Sequence, residues 1–303
     1  MQALLIRAGS FVAIIILGFV LRRIGFFKEN AFEVLSKVVV KITLPAAIIK
    51  NFATSDMDVS MLSIAALGFG GSVLYMIVAY LTHLKKSKPE QAFAVLNLPG
   101  YNIGIFALPF VSSFLGPNGV VAACLLDVGN SCVCLGGAYG VASSIKAGKG
   151  FSVKRIGKAL LTSVPFLCYI VMLPTALLKL PVPEPIVACA DIIASSNAFC
   201  AMLMIGVGFK LEADKAQLRY VIKMVALRFG VGLAVAAVFY FLLPFDLEVR
   251  QALALLAVSP ISSAVPGFTR ELGEDTGLSS AINSICIVVS IVLMVSMLSL
   301  MLA

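Results

Sequence analysis

Asn97-Leu98-Pro99-Gly100-Tyr101-Asn102-Ile103-Gly104, followed by Pro109, interrupts an apolar run near 91–114. A run of that length can cross a bilayer as one helix, which takes about 20 mostly apolar residues. Pro99, however, has no N–H to donate, and its ring collides with the preceding turn. Gly100 and Gly104 loosen the same region. Backbone left unpaired at mid-membrane is tolerated only where it is buried in protein or lines a polar cavity. Asn97 and Asn102 bring side chains that complete such a polar shell. The stretch therefore predicts a helix broken halfway across the membrane.

A second run, near 250–270, is broken in the same way by Ser259-Pro260-Ile261-Ser262-Ser263-Ala264-Val265-Pro266-Gly267. Between and around these two lie eight further runs, near 4–21, 34–54, 61–83, 119–145, 159–180, 185–209, 221–243 and 278–301. Gly116-Pro117-Asn118 and Pro181-Val182-Pro183 are too short to be anything but turns. The broken runs are the fourth and the ninth of ten. Half-helix N-termini carry partial positive charge and free N–H groups, which suit an anion. No Lys or Arg stands near the centre of either broken run, so an anion there is expected to be held by amides, Asn102 and serine hydroxyls.

The basic residues fall on alternate connections. One set carries Arg22, Arg23 and Lys28; Lys85, Lys86 and Lys88; Lys146, Lys149, Lys154, Arg155 and Lys158; Lys210, Lys215, Arg219 and Lys223; and Arg270. The other set carries Asp56 and Asp58, Glu184, and Asp246, Glu248 and Arg250. Positive residues stay in the cytoplasm, which places both termini outside a cell (plasma or inner) membrane. The expected fold class is an all-α polytopic membrane protein: ten transmembrane helices as two inverted five-helix repeats, with spans four and nine broken and crossing. The expected division is 1–145 for the first repeat, 146–158 for a cytoplasmic basic connection and 159–303 for the second repeat. Interrupted helices at matching positions of inverted repeats point to a transporter's binding site, and so to alternating access.

Composition agrees. Of 303 residues, 60% are apolar and 13% charged, against about 25% charged in soluble domains. The net charge of +8 is gathered in short segments without interleaved aromatics, which excludes nucleic acid as a partner. Membrane lipid is the expected partner of the basic segments 146–158 and 210–223. The cysteines Cys124, Cys132, Cys134, Cys168, Cys189, Cys200 and Cys286 all lie in apolar runs without C-x-x-C spacing, so they read as reduced thiols. The first run ends in Arg22-Arg23 and is expected to be a retained span, since a signal peptide carries its charge before the run.

At the broken helices the chain resembles the auxin efflux carrier family of membrane transporters, in its compact bacterial type without a long hydrophilic central loop. Asn102-Ile103-Gly104-Ile105-Phe106-Ala107-Leu108-Pro109 is similar to that family's N-x-G-x-x-G-x-P signature, in which Thr is commoner after the Asn and Gly is commoner where Ala107 stands. Thr43-Leu44-Pro45-Ala46, Ile205-Gly206-Val207-Gly208 and Ser259-Pro260 are similar to its second-span, seventh-span and ninth-span elements. The resemblance implies a scaffold and a mobile transport domain, a substrate held where the broken helices cross, and a homodimer. It also implies a small organic acid as substrate: auxin for plant members, carboxylates such as malate or malonate for bacterial ones.

The candidate substrate-binding residues are Asn102, Gly104, Pro109, Pro260 and Ser262. An ionisable group at the membrane centre costs about 2.5–3.5 kcal/mol and needs a reason. Asp127, which shares a helix face with Asn130 and Ser131, is the candidate for coupling to a proton or sodium gradient, together with Asn130. Asp191 and Ser195 lie shallower and are expected to be ordinary surface groups. Lys41 and Arg228, and Lys50 and Lys179 on the outer side, are expected to snorkel to the headgroups. His83, the sole histidine, is expected at the surface. Gly136 and Gly140 are expected to let two helices pack closely, with a dimer seam as the other reading.

No H-E-x-x-H, G-x-S-x-G, P-loop or G-x-G-x-x-G motif occurs, so no enzyme, cofactor or metal is expected. The alternative within transport is a sodium-coupled symporter of the bile-acid type. A channel, which would need repeated polar rings, ranks behind both.

Overall fold

The computed structural model describes residues 2–55, 57–148, 152–210 and 217–302. Asp56, Lys149 and Lys215 of the charge pattern lie outside the described residues. No strand occurs among the described residues.

The helices follow the ten apolar runs in order. They begin with α1 (Gln2–Arg23), α2 (Ala31–Val38), α3 (Leu44–Ala53), α4 (Ser63–Thr82) and α5 (Lys88–Asn97). Next come α6 (Leu108–Phe114), α7 (Pro117–Cys132), α8 (Ala138–Ala147), α9 (Val153–Thr162) and α10 (Val164–Leu177). The last six are α11 (Glu184–Ser195), α12 (Asn197–Gly208), α13 (Leu218–Leu242), α14 (Leu247–Ala257), α15 (Val265–Leu272) and α16 (Thr276–Met301). Five continuous helices are long and apolar enough to cross a membrane: Val59–Thr82, Pro117–Ala147, Glu184–Gly208, Leu218–Leu242 and Thr276–Met301. The pair α9–α10, bent by 78°, adds a sixth if it is counted as one broken span. Side chains such as Leu17, Phe69, Val171, Phe241 and Val292 are exposed, as a lipid-facing surface requires.

Prolines dictate where the rods deviate. α2 runs into α3 through one wide turn, Val39–Thr43, and Ile103–Ala107 leads into α6 through another. In both, a Leu-Pro pair follows directly, Leu44-Pro45 and Leu108-Pro109. A wide turn relieves the clash between a proline ring and the carbonyl four residues back. A third wide turn, Val133–Gly137, joins α7 to α8 where Gly136 leaves helical geometry. At the start of α5, Ser87 and Glu90 form a capping box and Pro89 sits in the first turn, where its missing N–H costs nothing.

One boundary differs from expectation. The sixth run was read from 159, but α9 folds aside and meets α10 at 78°. Ser163 is extended and Pro165 occupies the first turn of α10, so the helix cannot run through. α9 has no buried residue and carries Lys154, Arg155 and Lys158, which fits a helix lying in the interface.

The helices sort into two packed groups. α1, α2, α3, α10, α11 and α12 pack on one another, with α1 against α12 and α3 against both α10 and α11. α4, α5, α7, α8, α13, α14, α15 and α16 form the second group, built on the pairs α4–α7, α5–α8, α13–α14 and α15–α16.

The tightest glycine seams lie away from Gly136, where an added Cβ would meet only Ile156 at 3.5 Å. A methyl group at Gly129 of α7 would collide with the Ala65 carbonyl, and one at Gly68 of α4 with the Leu126 carbonyl. Gly18 of α1 and Gly206 of α12 face Leu203 and Ile15 in the same way. Backbones this close leave no room to give, so Gly129→Ala is expected to cost roughly 1–3 kcal/mol of overpacking. Gly70→Ala in the same bundle, where nothing lies within 4 Å, is expected to be neutral or stabilising. Melting curves of the two variants check this; equal melting temperatures would refute the seam.

Candidate functional site

α5 ends at Asn97 and α14 at Ala257. Beyond them the chain turns through Pro99 and Gly100, whose φ is +83°, in one case and through Pro260 in the other. Only glycine adopts that left-handed conformation without strain. The two interruptions touch: the Asn102 N–H donates to the Pro260 carbonyl at 2.9 Å, and the Asn102 Nδ2 donates to the Ser263 hydroxyl at 2.7 Å.

Breaking a helix strands backbone groups that must find partners. Asn130 of α7 holds the first break. Its Oδ1 accepts the Tyr101 N–H at 2.9 Å and its Nδ2 donates to the Tyr101 carbonyl at 2.8 Å. The same Oδ1 accepts from Ser72 at 3.1 Å, and the same Nδ2 donates to Asp127 Oδ1 at 3.0 Å. Asp127 Oδ2 accepts from the Tyr169 hydroxyl of α10 at 3.1 Å, a link between the two helix groups. At the second break Ser290 donates to the Val258 carbonyl at 2.7 Å. Asn97 joins α5 to the far side of the second break, donating to Thr269 at 3.2 Å and accepting from Ser279 at 2.5 Å.

Arg228 completes the arrangement. It was read as snorkelling to the headgroups, and the structure overturns that. α13 begins at Leu218, which puts Arg228 about 15 Å inside the helix, and the residue is 1% exposed. One Nη donates to the Leu98 carbonyl at 2.9 Å and the other to the Ser259 carbonyl at 3.0 Å. Its guanidinium lies 4.1 Å from the Tyr75 ring centre and 5.0 Å from that of Tyr101. A cation thus sits at the crossing after all, contributed by a third helix.

Of the sequence candidates, Asn102 and Pro260 meet directly, and Ser262 is half-buried beside them, accepting from the Ala264 N–H. Gly104 is buried with Leu44 and Asp127 around it, and a Cβ there would strike Leu44. Asp127 and Asn130 join the same cluster through Tyr101. Pro109 does not belong to it; it lies in the first turn of α6, buried, about two turns from Asn102. Arg228, Ser263 and Tyr169 were missed. The signal for Arg228 was available, since a charge ten residues into an apolar helix demands a partner.

Other expectations shift too. His83 is buried, its Nδ1 3.0 Å from the Ala79 carbonyl and its ring against Tyr220, so it is no surface residue. Lys50 pairs with Asp191 at the surface. Lys146 pairs with Glu274 at 2.5 Å and Arg155 with Glu271 at 2.6 Å, so these two cations of the basic connection hold protein carboxylates.

A cavity of about 350 Å³ opens between the two helix groups, within the range of small-molecule sites. Its walls include Asn51, Ser112, Ser113, Ser195 and Asn197, and it lies by the Gly116-Pro117 turn. Leu108, on the helix that Asn102 precedes, lines it; the crossing residues themselves do not.

A family model described as membrane transport protein matches residues 10–143. The matched segment holds the first broken helix, Asp127 and Asn130, whereas the second break and Arg228 lie beyond it. No curated protein matches the chain.

Proposed function

We propose that the chain, whose residues 10–143 match a family model described as membrane transport protein, belongs to the auxin efflux carrier family and is a secondary transporter moving a small organic anion by alternating access. The family is one of transporters, not of enzymes. The observation that carries the reading is the contact of two interrupted helices, Asn102 N–H on the Pro260 carbonyl at 2.9 Å.

The pattern of helix neighbours supports ten spans in two inverted repeats. Number the rods one to ten, from α1 to α16. Rod one packs on rod seven (α1–α12), as rod six packs on rod two (α10–α3). Rod three packs on rod five (α4–α7), as rod eight packs on rod ten (α13–α16). Exchanging the two halves maps each pair onto the other. The first packed group then acts as scaffold and the second, which holds both breaks, as the moving domain.

Charge at the crossing favours an anion. Two half-helix N-termini and two C-termini carry about half a charge each and cancel, leaving the Arg228 guanidinium in excess. An ionised Asp127, tied to Tyr101 through Asn130, offsets that excess; a protonated Asp127 does not. Binding of the anion and of a proton are thereby linked, which makes Asp127 the coupling group. The cavity opens beside the poorly basic connections, while the Arg155–Glu271 pair ties α9 to α15 on the basic side. The proposed state is an outward-facing carrier in a cell membrane with both termini outside. A mono- or dicarboxylate such as malate or malonate, or an auxin-like acid, is the proposed substrate, and a homodimer the proposed assembly. The match leaves the bile-acid type of symporter without support.

The test is a thermal-shift screen of the purified protein with mono- and dicarboxylates, amino acids and indole acids, followed by flux of any stabilising compound in proteoliposomes. Asn102→Ala keeps the backbone contact to Pro260 and is expected to weaken binding roughly tenfold, the worth of one or two hydrogen bonds. Unchanged affinity in the folded variant would remove Asn102 from the site. Stabilisation by cations or neutral solutes alone would sink the anion reading.

A further inference from the structure

We infer that Arg228 is a resident counter-cation, filling with its own guanidinium the place between two half-helix C-termini where a cation-coupled carrier binds its ion. In carriers with broken helices, unwound carbonyls and half-helix C-terminal ends are the groups that coordinate sodium. Here those groups are the Leu98 carbonyl, one residue past α5, and the Ser259 carbonyl, two residues past α14. Both accept from Arg228, at 2.9 and 3.0 Å. The next carbonyl, Val258, is taken by Ser290.

Among the described residues no carboxylate pairs with Arg228. A buried ion without a counter-ion is costly, and what surrounds this one is the negative end of two helices and the faces of Tyr75 and Tyr101, 4.1 and 5.0 Å from its centre. Tyr75 in turn donates to the Arg228 carbonyl at 3.1 Å, which holds the ring to α13. The planar fork of the guanidinium spans two acceptors that a single sodium ion would otherwise bring together. Tethered to α13 by its own side chain, this cation does not leave. Arg228, both carbonyls and both rings belong to one helix group, and the charge moves with it.

It follows that the crossing needs no sodium, and that removing the guanidinium opens a site for a small cation. This holds whatever the substrate, because it is read from the protein alone. The experiment compares melting temperatures of the purified full chain in sodium, potassium and choline chloride at equal ionic strength. The wild type is expected to melt at the same temperature in all three. Arg228→Gln is expected to melt about 10 °C lower, and to regain part of the loss in sodium chloride or in millimolar methylguanidinium but not in choline. Arg228→Lys, which keeps the charge but not the fork, is expected to fall between. A sodium-specific rise in the wild type overturns the inference, as does a loss in Arg228→Gln that no cation restores, or no loss at all. If Arg228→Gln yields no folded protein, the wild-type comparison decides alone.

Discussion

Asn130→Leu is expected to abolish transport and remove most of the folded stability. The asparagine amide stands in for a missing stretch of helix, giving both a donor and an acceptor to the Tyr101 peptide at 2.8 and 2.9 Å. Leucine fills nearly the same space and gives neither. The Tyr101 N–H and C=O would then be stranded where the residue is 2% exposed. Each orphaned group costs about 1–3 kcal/mol, and Ser72 and Asp127 lose a partner as well. A total of roughly 3–6 kcal/mol is a large share of the 5–15 kcal/mol that holds a typical protein together. Asn130→Asp keeps the acceptor for Tyr101 and Ser72 but loses both donors and faces Asp127, so it should be milder yet still impaired. Size-exclusion profile and melting temperature read the outcome. Wild-type behaviour of Asn130→Leu would mean that something else holds the break.

Asp127→Asn is expected to lower gradient-driven uptake at least tenfold while leaving the fold intact. The carboxylate has two partners, Asn130 Nδ2 at 3.0 Å and the Tyr169 hydroxyl at 3.1 Å. An amide keeps the first through its oxygen, and its NH₂ donates to the tyrosine oxygen, so both contacts survive with one reversed. What is lost is the switch between a charged and a neutral form in the network that Asn130 ties to Tyr101. The variant should bind substrate and exchange it across the membrane, yet fail to concentrate it against a gradient. Counterflow and proton-driven uptake in the same proteoliposomes separate the two. Undiminished driven uptake would take Asp127 out of coupling; loss of both activities would make it a binding or structural group instead.

The breaks were legible because their causes are local. Pro99, Gly100 and Pro260 act on their own turns, and no tertiary contact is needed to know that a helix cannot continue through them. The order of helices was legible for the same reason, since each apolar run announces itself. The bend before α10 was missed although Pro165 signals it, because the apolar run extends back through Ala159, Leu160 and Leu161 and masks the joint. Gly129 and Gly68, rather than Gly136, make the closest approaches, because spacing along one helix does not say which face meets a neighbour.

The sequence by itself determined that this protein crosses a membrane several times, where two of its helices break, and that Asp127 and Asn130 share a face. Only the tertiary structure decided that the breaks touch, that Asn130 replaces a peptide partner, and that Arg228 caps both half-helices. The physical reason is range. A proline changes the backbone within one turn, but the partners of Arg228 lie 130 and 31 residues away along the chain. Which distant carbonyls a buried cation meets is set by how whole helices pack, and no local pattern records that.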